Sequence, residues 1–105
     1  MDNPNFIFIY ITCSSEEEAE KISRSLIENN LIACGNYFPI KSIYKWEGKI
    51  NTDNETVLIV KTIDEKFEKV KTHVKGIHSY DVPCITKILV EPNKEYADWL
   101  LKEIE

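Results

Sequence analysis

Phe6-Ile7-Phe8-Ile9-Tyr10-Ile11 is an unbroken apolar run of aromatic and β-branched residues. Such residues favour the extended backbone, where successive side chains point to opposite faces. The run is apolar on both faces, so it reads as a strand that needs cover on both sides. That requirement places it inside a layered domain rather than at a wet edge. The run is far shorter than the roughly 20 apolar residues of a membrane-spanning helix. It is also short for a signal-peptide core, and only the acidic Asp2 precedes it where a basic segment would belong. The expectation is a soluble, untargeted chain with no membrane partner.

The rest of the chain alternates between helical and strand periods. Ser15-Glu16-Glu17-Glu18 reads as a capping box, with the Ser15 hydroxyl capping a helix and Glu18 reaching back. Three carboxylates there also suit the positive end of the helix dipole. Ala19, Ile22, Leu26 and Ile27 follow as a core stripe, and Asn29-Asn30 ends the helix. Residues 31–50 read as strand with a bend at Gly35 to Pro39, and Glu47-Gly48 is a turn signal after Ser42–Trp46. Thr56–Thr62 is the third strand. Asp64 is the expected cap of a second helix, with Phe67, Val70, Val74 and Ile77 on one face and His73 exposed among lysines on the other. Pro83 precedes a fourth strand, Ile85–Glu91, and Pro92-Asn93 leads to a last helix with Tyr96, Trp99, Leu100 and Ile104 on its apolar side. The order strand, helix, strand, strand, helix, strand predicts an α+β, ferredoxin-like βαββαβ sandwich with an extra C-terminal helix. Two helices would cover one face of a four-stranded antiparallel sheet. Either that last helix or a partner subunit would cover the other.

A length of 105 residues suits a single domain, 1–105, that buries about two-thirds of its unfolded surface. The net charge of −5 disfavours nucleic acid, whose phosphates it repels, and favours cations as company. Three widely spaced cysteines, Cys13, Cys34 and Cys84, make an odd set. A disulfide framework is not expected, and a reducing, cytoplasmic setting is.

Several motifs stand in order along the chain: Thr12, Leu31-Ile32-Ala33-Cys34, Ser42-Ile43-Tyr44-Lys45-Trp46-Glu47-Gly48-Lys49-Ile50, Glu55, Lys61-Thr62, His78-Ser79-Tyr80-Asp81-Val82-Pro83, Tyr96 and Trp99-Leu100. Together they resemble the CutA family of divalent-cation tolerance proteins from about Ile9 to Trp99. The resemblance implies a ferredoxin-like fold, a tight homotrimer, tolerance to copper and other divalent cations, and copper bound near the histidine motif in some relatives. It implies no enzymatic reaction and no organic cofactor. Three positions depart from the family pattern: Ser79 where proline is usual, Cys84 where glutamate is usual, and Ile40 where glycine or valine is common. A thiolate in place of a carboxylate favours Cu(I) or Zn over harder cations.

The candidate metal ligands are therefore His78, Cys84 and Cys13. Imidazole is a common ligand for copper and zinc. Cys84 lies six residues beyond His78, across a loop that can double back. The competing reading makes His78 a structural hydrogen-bonding residue and Cys84 a small packed thiol. The cysteine of some relatives precedes the threonine, whereas Cys13 follows Thr12, and a one-residue shift in a strand reverses the face. Cys34 reads as a packed thiol. Tyr44, Trp46, Tyr80 and Trp99 are candidates for a ligand cleft or a subunit contact. Lys61 would pair with a carboxylate such as Glu91, or face a cleft between subunits.

The leading expectation is a homotrimer that binds copper or zinc at subunit boundaries. Two other readings stand beside it: a small-molecule signalling trimer of the nitrogen-regulator type, and a trimeric scaffold with no metal role. The signalling reading rests on fold analogy alone, because the three glycines form no phosphate-binding loop. Three other uses of this fold are excluded. The only arginine, Arg24, lies mid-helix, which removes an acylphosphatase phosphate loop; no Cys-x-x-Cys is present for a copper chaperone; and no basic face with exposed strand aromatics is present for RNA.

Overall fold

The computed structural model describes residues 4–105; Asp2 lies outside them. Strand β1 (Phe6–Cys13) leads to helix α1 (Glu16–Glu28). A long hairpin follows, β2 (Cys34–Trp46) and β3 (Lys49–Ile63), and then α2 (Phe67–Ile77), β4 (Ile85–Val90) and α3 (Lys94–Glu103). The sheet order is β2-β3-β1-β4 and every pairing is antiparallel. This is the expected α+β arrangement with its added helix. β1 is an inner strand, with Ile9 opposite Val60 on one side and Lys87 on the other.

Among the described residues, only one face of β1 is fully closed. Ile7, Ile9, Ile11 and Cys13 are fully buried, packed with Leu58 and Val60 beneath Ala19, Ile22 and Leu26 of α1 and Val70 and Val74 of α2. The alternate residues Phe6, Phe8, Tyr10 and Thr12 are half-buried. On that second face α3 covers one end, where Leu100 and Ile104 pack on Ile63, Phe6 and Tyr96. The expectation of burial on both faces thus holds for the first face and for one end of the second.

The hairpin tip has a clear local cause. Glu47 and Gly48 both take positive φ, 50° and 77°, the combination that a two-residue turn between twisted strands requires. Pro39 sits inside β2 and is tolerated because β2 is an edge strand with one unpaired side. Pairing runs from Cys34↔Lys61 to Trp46↔Lys49 without interruption through the expected bend. The third strand therefore begins at Lys49, not Thr56, and the hairpin stretches the molecule to 51 × 24 × 21 Å.

Three side chains lie elsewhere than their sequence pattern suggested. Ile27 is 45% exposed, because it stands one residue, about 100° of helix, beyond the Ile22–Leu26 stripe. Asp64 does not cap α2. It opens a single 3-10 turn, Asp64–Lys66, and its carboxylate instead accepts from Lys87 Nζ at 2.6 Å. His73 is half-buried, with Nε2 2.7 Å from Ser25 Oγ across the α1–α2 contact.

Lys66 ties two helix ends together. Its Nζ donates to the Asn30 carbonyl just past α1 (2.6 Å) and to the Ile104 carbonyl at the end of α3 (2.8 Å). Charged donors there also suit the negative helix termini. Lys66→Met keeps the aliphatic stem and removes both bonds. It should lower stability by about 1–2 kcal/mol, read as a lower urea midpoint with an unchanged slope. An unchanged midpoint would show that water replaces the ammonium at no cost.

Candidate metal centre

The antiparallel topology brings the end of β1, the start of α1 and the end of α2 to one end of the sheet. Cys13 is the last residue of β1, Glu18 lies in the first turn of α1, and His78 ends α2. The Cys13 Sγ, a Glu18 carboxylate oxygen and a His78 ring nitrogen all lie within 4.8 Å of one another.

Each of the three has a defined state. The His78 side chain is completely shielded from solvent. One ring nitrogen, Nε2, lies 2.8 Å from the Thr12 carbonyl oxygen, which can only accept, so the proton sits on Nε2. Nδ1 is then the acceptor, and it takes the Tyr80 backbone N–H at 3.0 Å. The imidazole is neutral with both nitrogens engaged. Glu18 Oε1 accepts from the Ser14 N–H (2.8 Å) and the Ser14 hydroxyl (2.9 Å). Glu18 Oε2 accepts from the Ser79 N–H (2.8 Å) and stands 3.9 Å from His78 Nδ1. Burial by itself pushes the Glu18 carboxyl upward, but the donors from Ser14 and Ser79 outweigh it and hold the group down at about 2. The Cys13 thiol is fully buried, and burial, then the charges of Glu18 and Glu55, push it up to about 12.

The expected capping box is present with one change. Ser15 Oγ accepts from the Glu18 N–H at 3.1 Å, as the motif requires. The Glu18 carboxylate, however, reaches Ser14 rather than Ser15, and turns toward the 78–80 segment. Glu18 was legible in the sequence only as a cap. Its first-turn position already explains a glutamate there, so nothing pointed to a second role.

Beside this group stand Tyr80 and Glu55. The Tyr80 hydroxyl donates to Glu55 at 2.5 Å, and burial together with that bond raises its pKa. The rings of Tyr80 and His78 are tilted, 4.8 Å apart. On the hairpin, the Tyr44 hydroxyl donates to Asp53, and Trp46, 64% exposed, stands near the tip. Trp99 is half-exposed and packs on Tyr96 at 5.4 Å. Lys61 makes no ion pair with Glu91 or any other carboxylate among the described residues. Its Nζ lies 5.4 Å from the Phe8 ring centre and 5.5 Å from that of Tyr96, and it faces the side of the sheet that α3 only partly covers. Cys84 is exposed, with Sγ 3.5 Å from Thr86 Oγ1, and is not part of the three-residue group.

Sulfur, nitrogen and oxygen donors within 4.8 Å suit zinc or copper in type and proximity. Two features oppose an ion in this state. The thiol must lose a proton that it holds tightly, and the Nδ1 lone pair is already used by the Tyr80 amide. The group fits a cation by composition and is closed by its own hydrogen bonds.

The chain is similar to proteins of known family. The family model described as CutA1 divalent ion tolerance protein matches residues 7–103. The divalent-cation tolerance protein CutA of Archaeoglobus fulgidus is 52% identical over 99 residues, covering 93% of this chain and 97% of that protein. Its namesake in Thermus thermophilus is 45% identical over 94 residues, covering 88% and 91%. The solved structure of the periplasmic divalent cation tolerance protein CutA from Archaeoglobus fulgidus superposes with a TM-score of 0.92 at 50% identity, covering 95% of this chain and 99% of that one. With nearly its whole length matched in sequence and in fold, the chain belongs to the CutA1 divalent ion tolerance family.

Proposed function

We propose that this protein acts in divalent-cation tolerance as a homotrimer that takes up zinc or copper as cargo at Cys13, Glu18 and His78 of each subunit. The observation that carries the reading is the convergence of a thiol, a carboxylate and an imidazole within 4.8 Å. In this reading Nδ1 of His78, the deprotonated Cys13 sulfur and a Glu18 oxygen hold the ion, and the exposed Cys84 lies outside the set. A bound dication would stabilise the thiolate and ease the buried charge of Glu18.

Trimer formation is supported by apolar surface that one chain leaves open. Phe38 and Ile88, on the sheet face that α3 only partly covers, are each nearly half-exposed. Ile43, Trp46 and Ile50 are more exposed still at the hairpin tip. Apolar surface of this kind calls for a protein partner. In the trimer Tyr44, Trp46, Lys61, Tyr80 and Trp99 would lie at or near subunit contacts. Three free thiols suit a reducing compartment such as the cytoplasm.

The test is calorimetric titration of the reduced protein with Zn(II) and with copper, beside sedimentation. One ion per chain, lost in both Cys13→Ala and His78→Gln, with a mass three times that of the chain, is the expected result. Absence of saturable binding, or binding that survives both substitutions, would overturn the metal reading; a monomeric mass would overturn the trimer.

A further inference from the structure

We infer that cation uptake at this group and release of the 79–84 loop are a single event, so that the loop reports occupancy to the protein surface. The inference rests on the metal reading above and deepens it.

His78 is held through both ring nitrogens. Its Nε2–H is committed to the Thr12 carbonyl at the end of the inner strand β1. At Thr12 that strand is still paired with Val57 of β3, which keeps the carbonyl from following a moving ring, and breaking the bond would leave a part-buried carbonyl without its partner. Nδ1 is therefore the only imidazole lone pair that a cation can take. That lone pair is held by the Tyr80 amide. One residue earlier, the Ser79 amide is held by Glu18 Oε2, the oxygen that stands 3.9 Å from Nδ1. The two atoms best placed to receive an ion are thus the two that peg consecutive amides of the loop.

Little else restrains the segment. Beyond these amides, the segment 79–83 is tied to the rest of the chain, among the described residues, by the Ser79 hydroxyl, which also donates to Glu18, and by the Tyr80 hydroxyl, which donates to Glu55 on β3. Asp81 and Cys84 are exposed, and Val82 is 90% exposed. A cation and the two amides compete for the same lone pairs. When Nδ1 and Oε2 turn to the ion, the Ser79 and Tyr80 amides lose their acceptors and the loop swings toward solvent. Glu18 and His78 then act as a latch that is either closed on the loop or closed on the ion. The surface that changes carries Val82, Cys84 and the Tyr80–Glu55 bond to the hairpin.

The experiment follows amide hydrogen exchange of Ser79 and Tyr80 in the reduced protein, with and without saturating Zn(II), while calorimetry follows binding. A Cys84→Ser background keeps the exposed thiol out of the titration. Zinc should speed exchange at both amides at least about tenfold while the β1 amides stay protected. A second arm uses Ser79→Pro, which deletes the amide and hydroxyl donors of Ser79 to Glu18 and no metal donor. His78 already has φ −77° and ψ 143°, the extended conformation that a following proline requires. This variant should bind zinc about tenfold more tightly, a change of about 1.4 kcal/mol. Zinc binding with unchanged Tyr80 exchange and no gain in Ser79→Pro would overturn the latch and leave the metal site standing. No zinc binding in either protein would overturn both.

Discussion

Glu18→Gln is expected to cost about 3 kcal/mol at neutral pH and to flatten the acid side of the stability curve. The carboxylate accepts from Ser14 N–H, the Ser14 hydroxyl and Ser79 N–H, and its side chain is only 11% exposed. Its pKa falls from an ordinary 4.5 to about 2 in the fold. A depressed carboxyl pKa contributes stability above the unfolded value, and that contribution is lost as pH falls through the folded one. The window is therefore from about pH 4.5 down to about 2, and the shift corresponds to about 3 kcal/mol. Glutamine keeps the shape but turns an N–H2 group toward either the Ser14 or the Ser79 donors. Denaturant melts at several pH values decide the matter. The wild type should lose stability across that window relative to the variant, and the two should converge near pH 2. A variant within about 0.5 kcal/mol of wild type at pH 7, with a parallel acid slope, would show that water replaces the carboxylate.

Ile9→Ala should destabilise the protein by about 4 kcal/mol. Ile9 is fully buried on the inner strand, directly between Val60 and Lys87 of the neighbouring strands and beneath the helix layer. Paired backbone on both sides prevents the strand from collapsing into the space left behind, so most of the cavity persists. Ile27→Ala is the control. The same chemical change at a 45% exposed helix position should cost well under 1 kcal/mol. Urea midpoints at matched protein concentration separate the two, because assembly makes apparent stability depend on concentration. Equal losses at the two positions would contradict the burial difference on which the argument stands.

The Ile9–Ile27 contrast shows where periodicity stops being informative. Both isoleucines fit an apolar pattern, and the pattern alone placed both in the core. A helix rotates about 100° per residue, so Ile27 at the edge of the Ile22–Leu26 stripe is buried only if a neighbour reaches round to it. None does. Asp64 carries the same lesson for polar groups. Its place ahead of a helix suggested a cap, yet Lys87, distant in sequence, lies 2.6 Å away and takes the carboxylate. Lys61 is a third case: an expected carboxylate partner is replaced by the faces of Phe8 and Tyr96.

The element order, the hairpin turn at Glu47-Gly48, the N-cap at Ser15 and the helix-facing core follow from the sequence by itself. Each depends on residues close in the chain or on a repeat of fixed period. The family was also legible there, because its motifs stand in order along the chain. The metal candidate was legible only in part. Cys13 and His78 were named, but their company was not, since Glu18 had a sufficient local role and Cys84 looked as close to His78 as Cys13 did distant. Only the tertiary structure decides that the ends of β1 and α2 meet over the first turn of α1, while Cys84 points into solvent. Sheet order and helix packing set which side chains converge, and those distances are fixed by contacts between residues far apart in the chain, which no local pattern encodes.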